Sequence, residues 1–147
     1  MINIAIAIPA RLKSSRLKEK MLLRFDGKPL IQNVFEKVSR FGYDTFVLTD
    51  SEKIAQHIPN KNVILTGEEE NGAARICSQK MKFADYDYII NVQGDMLDIT
   101  YETIEPIIKT IGDHKNVITG YTKGYTTNGV KIIHQGKFAC WFTRKDI

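Results

Sequence analysis

From its second residue the chain runs Ile2-Asn3-Ile4-Ala5-Ile6-Ala7-Ile8 and then meets Pro9. This β-branched, almost wholly apolar run predicts a strand buried on both faces, as in a parallel sheet. Residues 10–27 show no such period and read as a loop, too long for a mere connector, with a turn at Asp26-Gly27. Pro29 suits a first helical turn. Leu30, Ile31, Val34, Phe35 and Val38 then recur at helical spacing until Gly42 ends the pattern. Thr45 to Leu48 predicts a second strand, Ser51 the N-cap of a short helix through Gln56, and Asn62 to Leu65 a third strand. A helix over about 72–83, a strand at Tyr88 to Val92, a helix over about 101–111 and a fifth strand at Asn116 to Thr122 follow.

Strands that alternate with helices imply crossover connections and a parallel core sheet. The end of the chain breaks the rhythm. Val130 to His134, then Gln135-Gly136, then Phe138 to Phe142 reads as an antiparallel hairpin. No internal repeat, linker or low-complexity segment interrupts the pattern, so residues 1–147 are expected to form a single domain. The fold class predicted is α/β, a Rossmann-like, mostly parallel sheet with a C-terminal antiparallel hairpin.

Charge changes this picture by its placement. The net charge is +4, but residues 1–40 carry nine Lys/Arg against three acids, whereas the rest of the chain is slightly acidic. A nucleic-acid binder spreads its basic residues more widely or interleaves them with aromatics, so a small anion such as a nucleotide is the better partner. The early apolar stretch Ile4 to Ala10 is far short of the ~20 residues of a membrane span, and no secretory leader pattern opens the chain. Cys77 and Cys140 make neither a disulfide framework nor a metal cluster and read as core residues. The expectation is a cytoplasmic protein with no membrane and no nucleic-acid partner.

In an open α/β sheet ligands bind beyond the carboxyl ends of the strands. Four loops are expected there: 9–27, Thr49-Asp50, 66–75 and 93–98. Arg11, Lys13, Arg16, Lys18 and Lys20 crowd the first, around Ser14 and Ser15. Fixed cations and hydroxyls beside a sheet rim suit a polyphosphate, although a solvated basic loop has the same composition. Asn91-Val92-Gln93-Gly94-Asp95 sets a carboxylate just past a buried strand, where it can hold Mg²⁺ together with substrate phosphates or serve as an ordinary turn residue. Asn71-Gly72-Ala73-Ala74-Arg75 opens a helix whose amides can meet a base or phosphate, or simply start the helix. Glu68-Glu69-Glu70 reads as a solvated acidic edge. His57, His114 and His134 have no ligand spacing, and Trp141 reads as a packing residue.

Taken in order, the loops resemble one family. Ile8-Pro9-Ala10-Arg11, Ser15-Arg16-Leu17, Lys20 and Asp26-Gly27-Lys28-Pro29-Leu30-Ile31 are similar to the opening signature of the CMP-KDO synthetases (3-deoxy-manno-octulosonate cytidylyltransferases), which have the sugar-nucleotidyltransferase fold. The likeness continues through Thr49-Asp50, Asn71-Gly72 with Arg75, Asn91-Val92-Gln93-Gly94-Asp95, Asn128 with Val130-Lys131, and Phe142 with Arg144. The resemblance implies transfer of CMP from CTP to a 2-keto sugar acid (KDO-like) with Mg²⁺ and release of pyrophosphate, a step of lipopolysaccharide biosynthesis. It implies nucleotide contacts from Pro9, Ala10, Arg11, Ser15, Arg16, Lys20, Asn71, Gly72, Arg75 and Gln93. Lys20, Arg16 and Asp95 would be catalytic, with Asp95 the metal ligand. Gln93, Lys131 and Arg144 would lie toward the sugar acid.

The departures bear on function. The family's Arg-Leu-Pro-Gly-Lys is Arg16-Leu17-Lys18-Glu19-Lys20 here, its Ser-Gly-Thr-(Asp/Glu)-Arg is Asn71-Gly72-Ala73-Ala74-Arg75, and its Gly-Asp-Glu-Pro is Gly94-Asp95-Met96-Leu97. At 147 residues the chain reads as a short form without the family's C-terminal part. Two expectations follow. One is an active cytidylyltransferase, working as a homodimer through the apolar C-terminal hairpin or with a complementing C-terminal chain. The other is a nucleotide-binding remnant, or half of a split enzyme, with weak or absent catalysis.

Overall fold

The structure is a computed structural model that describes residues 2–13, 17–111, 131–135 and 138–143, the last two stretches by their backbone alone. Met1–Ile108 form one compact unit and Lys109–Ile147 a second, where the sequence pattern suggests one domain over 1–147. The expected strand at Asn116 to Thr122 lies outside the described residues.

The first unit is built on four parallel strands, in spatial order Val63–Leu65 (β5), Asp44–Thr49 (β4), Ile4–Ala10 (β1) and Tyr88–Asn91 (β6). Strand β1 (Ile4–Ala10) is central, with all seven residues buried. Its alternation of Ile with Ala sorts by face, because successive side chains point to opposite sides of a sheet. Ala5 and Ala7 pack on one side with Leu48, Ile76 and Phe83, flanked by Phe46, Ile64 and Tyr86. These small residues leave room for the edge-to-face rings of Phe46 with Phe83 and with Tyr86. Ile6 and Ile8 are wholly buried, and each such burial is worth about 1.5–3 kcal/mol. The strand does not end at Pro9 as its sequence suggests. It continues through Pro9, paired with Leu48, to Ala10, paired with Thr49.

Strand β1 is followed by a 3-10 turn at Lys20–Leu22 and a tight hairpin, β2 (Arg24–Phe25) with β3 (Lys28–Pro29). Both central residues of that hairpin have positive φ, Asp26 at 49° and Gly27 at 79°. This is the backbone of a type I′ turn, for which Asp-Gly is a preferred pair. Pro29 caps helix α1 (Leu30–Val38), which buries the five apolar residues its spacing marks out. Gly42, at φ 87°, stops the short 3-10 extension beyond it.

Strand β4 (Asp44–Thr49), the short helix α2 (Glu52–Ala55), strand β5 (Val63–Leu65), helix α3 (Gly72–Ser78), strand β6 (Tyr88–Asn91) and helix α4 (Tyr101–Thr110) complete the unit. Ser51 stands at the N-cap of α2 as expected, but its side chain makes no capping bond there. The helix expected over about 72–83 is α3 followed by a 3-10 turn at Lys80–Phe83. Cys77 lies exposed on α3, not in the core.

In the second unit β7 (Lys131–Gln135) and β8 (Phe138–Thr143) form the expected antiparallel pair. Ile133 faces Trp141 and His134 faces Ala139, so Cys140 is the extra residue of a bulge. Among the described residues no helix is long and apolar enough to cross a membrane.

Candidate functional site

The strand order reverses at β1: the chain leaves it for β4 on one side and later returns to pair β6 on the other. The crevice above the carboxyl ends of β1 and β6 is therefore a topological switch point, where ligands of such sheets bind. The two loops that border it are those after β1 and after β6.

They meet at Lys20 and Asp95. The Lys20 ammonium lies 2.5 Å from Asp95 Oδ2, and both side chains are nearly two-fifths exposed. The residues beside them pack against each other. A Cβ on Gly94 would come within 3.0 Å of Met21 Sδ, 3.1 Å of Ile31 Cδ1 and 3.5 Å of the Pro9 carbonyl oxygen, so glycine is what lets the Asp95 loop settle onto the turn that carries Lys20. The Lys37 ammonium, from the last turn of α1, donates to the Leu97 carbonyl and ties down the far side of that loop.

The other rim of the crevice is the start of α3. A Cβ on Gly72 would lie 2.8 Å from Pro9 Cγ and 3.9 Å from Gln93 Oε1. Pro9, Gly72 and Gln93 therefore adjoin, as three of the expected nucleotide contacts should. Gln93 is exposed and donates to Asn91 Oδ1 at 3.2 Å. Asn71 caps α3, its Oδ1 accepting from the Ala74 amide at 2.9 Å. Ala10 is 2% exposed, which leaves it no exposed side chain with which to contact a ligand. Arg11 is exposed just beyond it.

Arg75 is a buried guanidinium with inward partners. Its side chain is 3% exposed and lies 3.0 Å from Asp50 Oδ2. It also donates to the Thr66 hydroxyl and, at 3.1 Å, to the Gly67 carbonyl. These bonds join the loop after β4 to the loop after β5. In this structure Arg75 turns inward onto these partners rather than out over the crevice.

Two further ion pairs reach the loop after β1. Lys13 pairs with Glu68 at 2.8 Å, and the Glu68 carboxylate holds the Lys13 ammonium above its usual range. Glu68 is thus a cross-loop partner as well as part of an acidic edge. Glu19 pairs with Lys53 at 3.3 Å. Glu19 has left-handed backbone, φ 49° and ψ 37°, at the position where the resembled family has glycine. Away from the rim, Lys28 bonds Glu36 at 2.6 Å and, with Gln32, holds that carboxyl below its usual range.

Ser15, Arg16 and Arg144 lie outside the described residues, and Lys131 is described by its backbone on β7 alone. The sequence places Asp50 on a ligand-side loop without a role and Glu68 in an acidic edge, and it gives no signal for Lys53 or Lys37. Asp50 had one signal, an acid at the carboxyl end of a buried strand. Among the described residues no group of three or more His, Cys, Asp or Glu is gathered to hold a metal. Asp95 is a one-carboxylate donor set. It fits a hard cation such as Mg²⁺, which takes one or two carboxylates together with substrate phosphates.

Residues 5–139 match the family model described as cytidylyltransferase. Over all of its length the chain is 38% identical to a 3-deoxy-manno-octulosonate cytidylyltransferase of Francisella tularensis subsp. novicida, covering 65% of that protein. A protein of the same description from Fusobacterium nucleatum is 30% identical over 95% of the chain, which covers 62% of it. The chain thus spans just under two thirds of these relatives. A CMP:2-keto-3-deoxy-manno-octonic acid synthetase solved in complex with CTP superposes with a TM-score of 0.78 at 28% identity, over 97% of this chain and 64% of that one.

Proposed function

We propose, from the premise that the chain belongs to the cytidylyltransferase family, that it binds CTP and transfers the CMP part to the anomeric hydroxyl of a 2-keto sugar acid of the 3-deoxy-manno-octulosonate class. What carries this reading is one observation: Lys20 and Asp95 meet at the switch point beside Pro9, Gly72 and Gln93. A nucleotide laid across that crevice would have its base near the start of α3 and its phosphates over the Lys20 turn.

In the reaction the sugar hydroxyl oxygen bonds the α-phosphorus as the bond to the bridging oxygen breaks. That electron pair leaves with pyrophosphate, and the hydroxyl proton passes to solvent. The task of this chain is to hold charge and geometry. Lys20, with Arg11, Ser15 and Arg16 of the same loop, offsets the charge that builds on the departing pyrophosphate. Backbone N–H groups at Gly72 and the amide of Gln93 orient base and sugar. Magnesium, when bound, supplies positive charge to the phosphate oxygens and is held by Asp95. The pair of buried Arg75 with partly exposed Asp50 keeps the loops that frame the base in place.

The test is pyrophosphate release from CTP and 2-keto sugar acids with Mg²⁺, alongside calorimetry with CTP. Release that needs both substrates is expected. Absence of CTP binding would overturn the whole reading, and tight binding without release would leave nucleotide binding in place of transfer.

A further inference from the structure

The contact between Lys20 and Asp95 has an implication beyond substrate binding. The two residues the reaction assigns to opposite partners, the ammonium to phosphate and the carboxylate to a cation, satisfy each other when neither ligand is present. The ammonium donates directly to Asp95 Oδ2, a charge-assisted contact of the stronger kind. Nor are these two long side chains merely meeting in solvent. Met21 and Gly94, the next residue after one and the residue before the other, pack together so closely that a single added methyl on Gly94 would have 3.0 Å to Met21 Sδ. The Leu97 carbonyl of the same loop is held by Lys37. Side-chain packing and the Lys37 bond therefore bring the two loops to where the pair forms.

We propose that Lys20 is an internal counter-ion that occupies the cation seat of Asp95, so that divalent cation binds more tightly once a nucleotide triphosphate draws the ammonium away. The inference rests on the proposed function for Asp95 as the seat of the cation. Its physical content is competition. A carboxylate already neutralised by an ammonium offers a cation little attraction, and the ammonium's own charge repels it. Once the phosphate oxygens take Lys20, the carboxylate is free and the phosphates add further oxygen ligands. Nucleotide and cation then favour each other's binding, and the linkage is reciprocal. The pair is partly exposed, so the expected effect is several-fold rather than many orders of magnitude.

The experiment measures Mn²⁺ binding to the whole chain without nucleotide, by titration calorimetry and by the free-ion resonance signal. Lys20→Met is expected to tighten Mn²⁺ binding about 3- to 10-fold over the unaltered chain. Lys20→Gln repeats the measurement with a polar side chain. Lys18→Met removes the same charge from an exposed neighbour and is expected to change binding less than 2-fold. Asp95→Asn introduced into the Lys20→Met chain is expected to erase the gain. Equal effects of Lys18→Met and Lys20→Met, no gain from Lys20→Met, or a gain that survives Asp95→Asn each overturn the proposal. These arms contain no CTP. Failure to bind CTP therefore removes the proposed function, while the Mn²⁺ titrations still decide whether Lys20 and the cation compete for Asp95.

Discussion

The guanidinium of Arg75 and the carboxylate of Asp50 lie 3.0 Å apart, the first almost wholly buried and the second one-quarter exposed. Arg75 bonds Thr66 and Gly67 as well, so one side chain of α3 fastens the loops after two neighbouring strands. Arg75→Met leaves three acceptors without their donor, and losing a charged hydrogen-bond partner at a buried site costs about 2–3 kcal/mol. Arg75→Lys keeps the charge but not the fork that reaches several acceptors, and should recover less than half of this. Urea unfolding of both variants and of Asp50→Asn measures the losses. If Arg75→Met and Asp50→Asn add without coupling in the double variant, the pair is not what holds these loops.

Gly72 is required for contact rather than for backbone freedom. A Cβ there would lie 2.8 Å from Pro9 Cγ, and Pro9 sits in the buried central strand with no room to retreat. Gly72→Ala should destabilise the chain by about 1–3 kcal/mol, the usual range for overpacking, and weaken CTP binding as the start of α3 moves off Gln93. Stability and CTP affinity both unchanged would show that this helix start can shift freely.

Glu19 occupies a conformation that suits glycine. Replacing it by Gly or by Ala removes the carboxylate and its pair with Lys53 in either case, so the difference between the two variants isolates the backbone. Left-handed backbone costs a residue with a Cβ about 1–2 kcal/mol, while glycine loses about 0.4–1 kcal/mol of stability through the freer unfolded chain. Glu19→Gly should therefore be more stable than Glu19→Ala by up to about 1.6 kcal/mol, read from denaturant midpoints. Both should bind CTP more tightly than the unaltered chain, since a negative charge has left the phosphate loop.

Lys20→Ala should weaken CTP binding. A charge-assisted phosphate contact is worth about 1.5–3 kcal/mol, but Lys20 first has to leave Asp95, so the loss belongs at the low end, roughly tenfold. Lys28→Ala is the comparison, because Lys28 is engaged with Glu36 at the start of α1. Calorimetry that gives the two variants equal CTP affinity removes the phosphate role from Lys20.

Tyr86 provides a pH-dependent marker of the core. Burial first, and then its bond to Asp44 Oδ2 at 2.7 Å, push its phenol up to about 12 from an ordinary 10. Between those values the folded chain keeps a proton that the unfolded chain has released. The contribution is therefore complete below pH 10 and is lost as pH rises toward about 12. The ultraviolet titration of the chain minus that of Tyr86→Phe should show one phenolate appearing near the upper value, and Asp44→Asn should move it down. A difference curve centred at 10 would place Tyr86 in water.

Much of the framework could be read from local pattern because it rests on local causes. Two-faced burial of Ile4 to Ile8, the apolar stripe of α1 and the Asp26-Gly27 turn each follow from steric and hydrophobic rules that act within about ten residues. Pro9 misled as a strand end, since β1 pairs β6 only through Ala7 and beyond it runs as an edge toward that side, where a missing N–H is tolerated while the register with β4 continues.

The chemistry of the rim divides in the same way. That cations gather in one early loop, and that acids stand at the ends of β4 and β6, is a property of the sequence alone. Which cation meets which acid belongs to the tertiary structure. Lys20 and Asp95 are 75 residues apart, and Lys13 and Glu68 are 55 apart. The crossovers and the strand order bring these loops to one edge. Likewise no periodicity announces that Arg75 turns inward while Cys77, two residues on, faces water. A helix this short takes its buried side from what it packs against, and side-chain charges find partners only after the sheet has set the distances between loops.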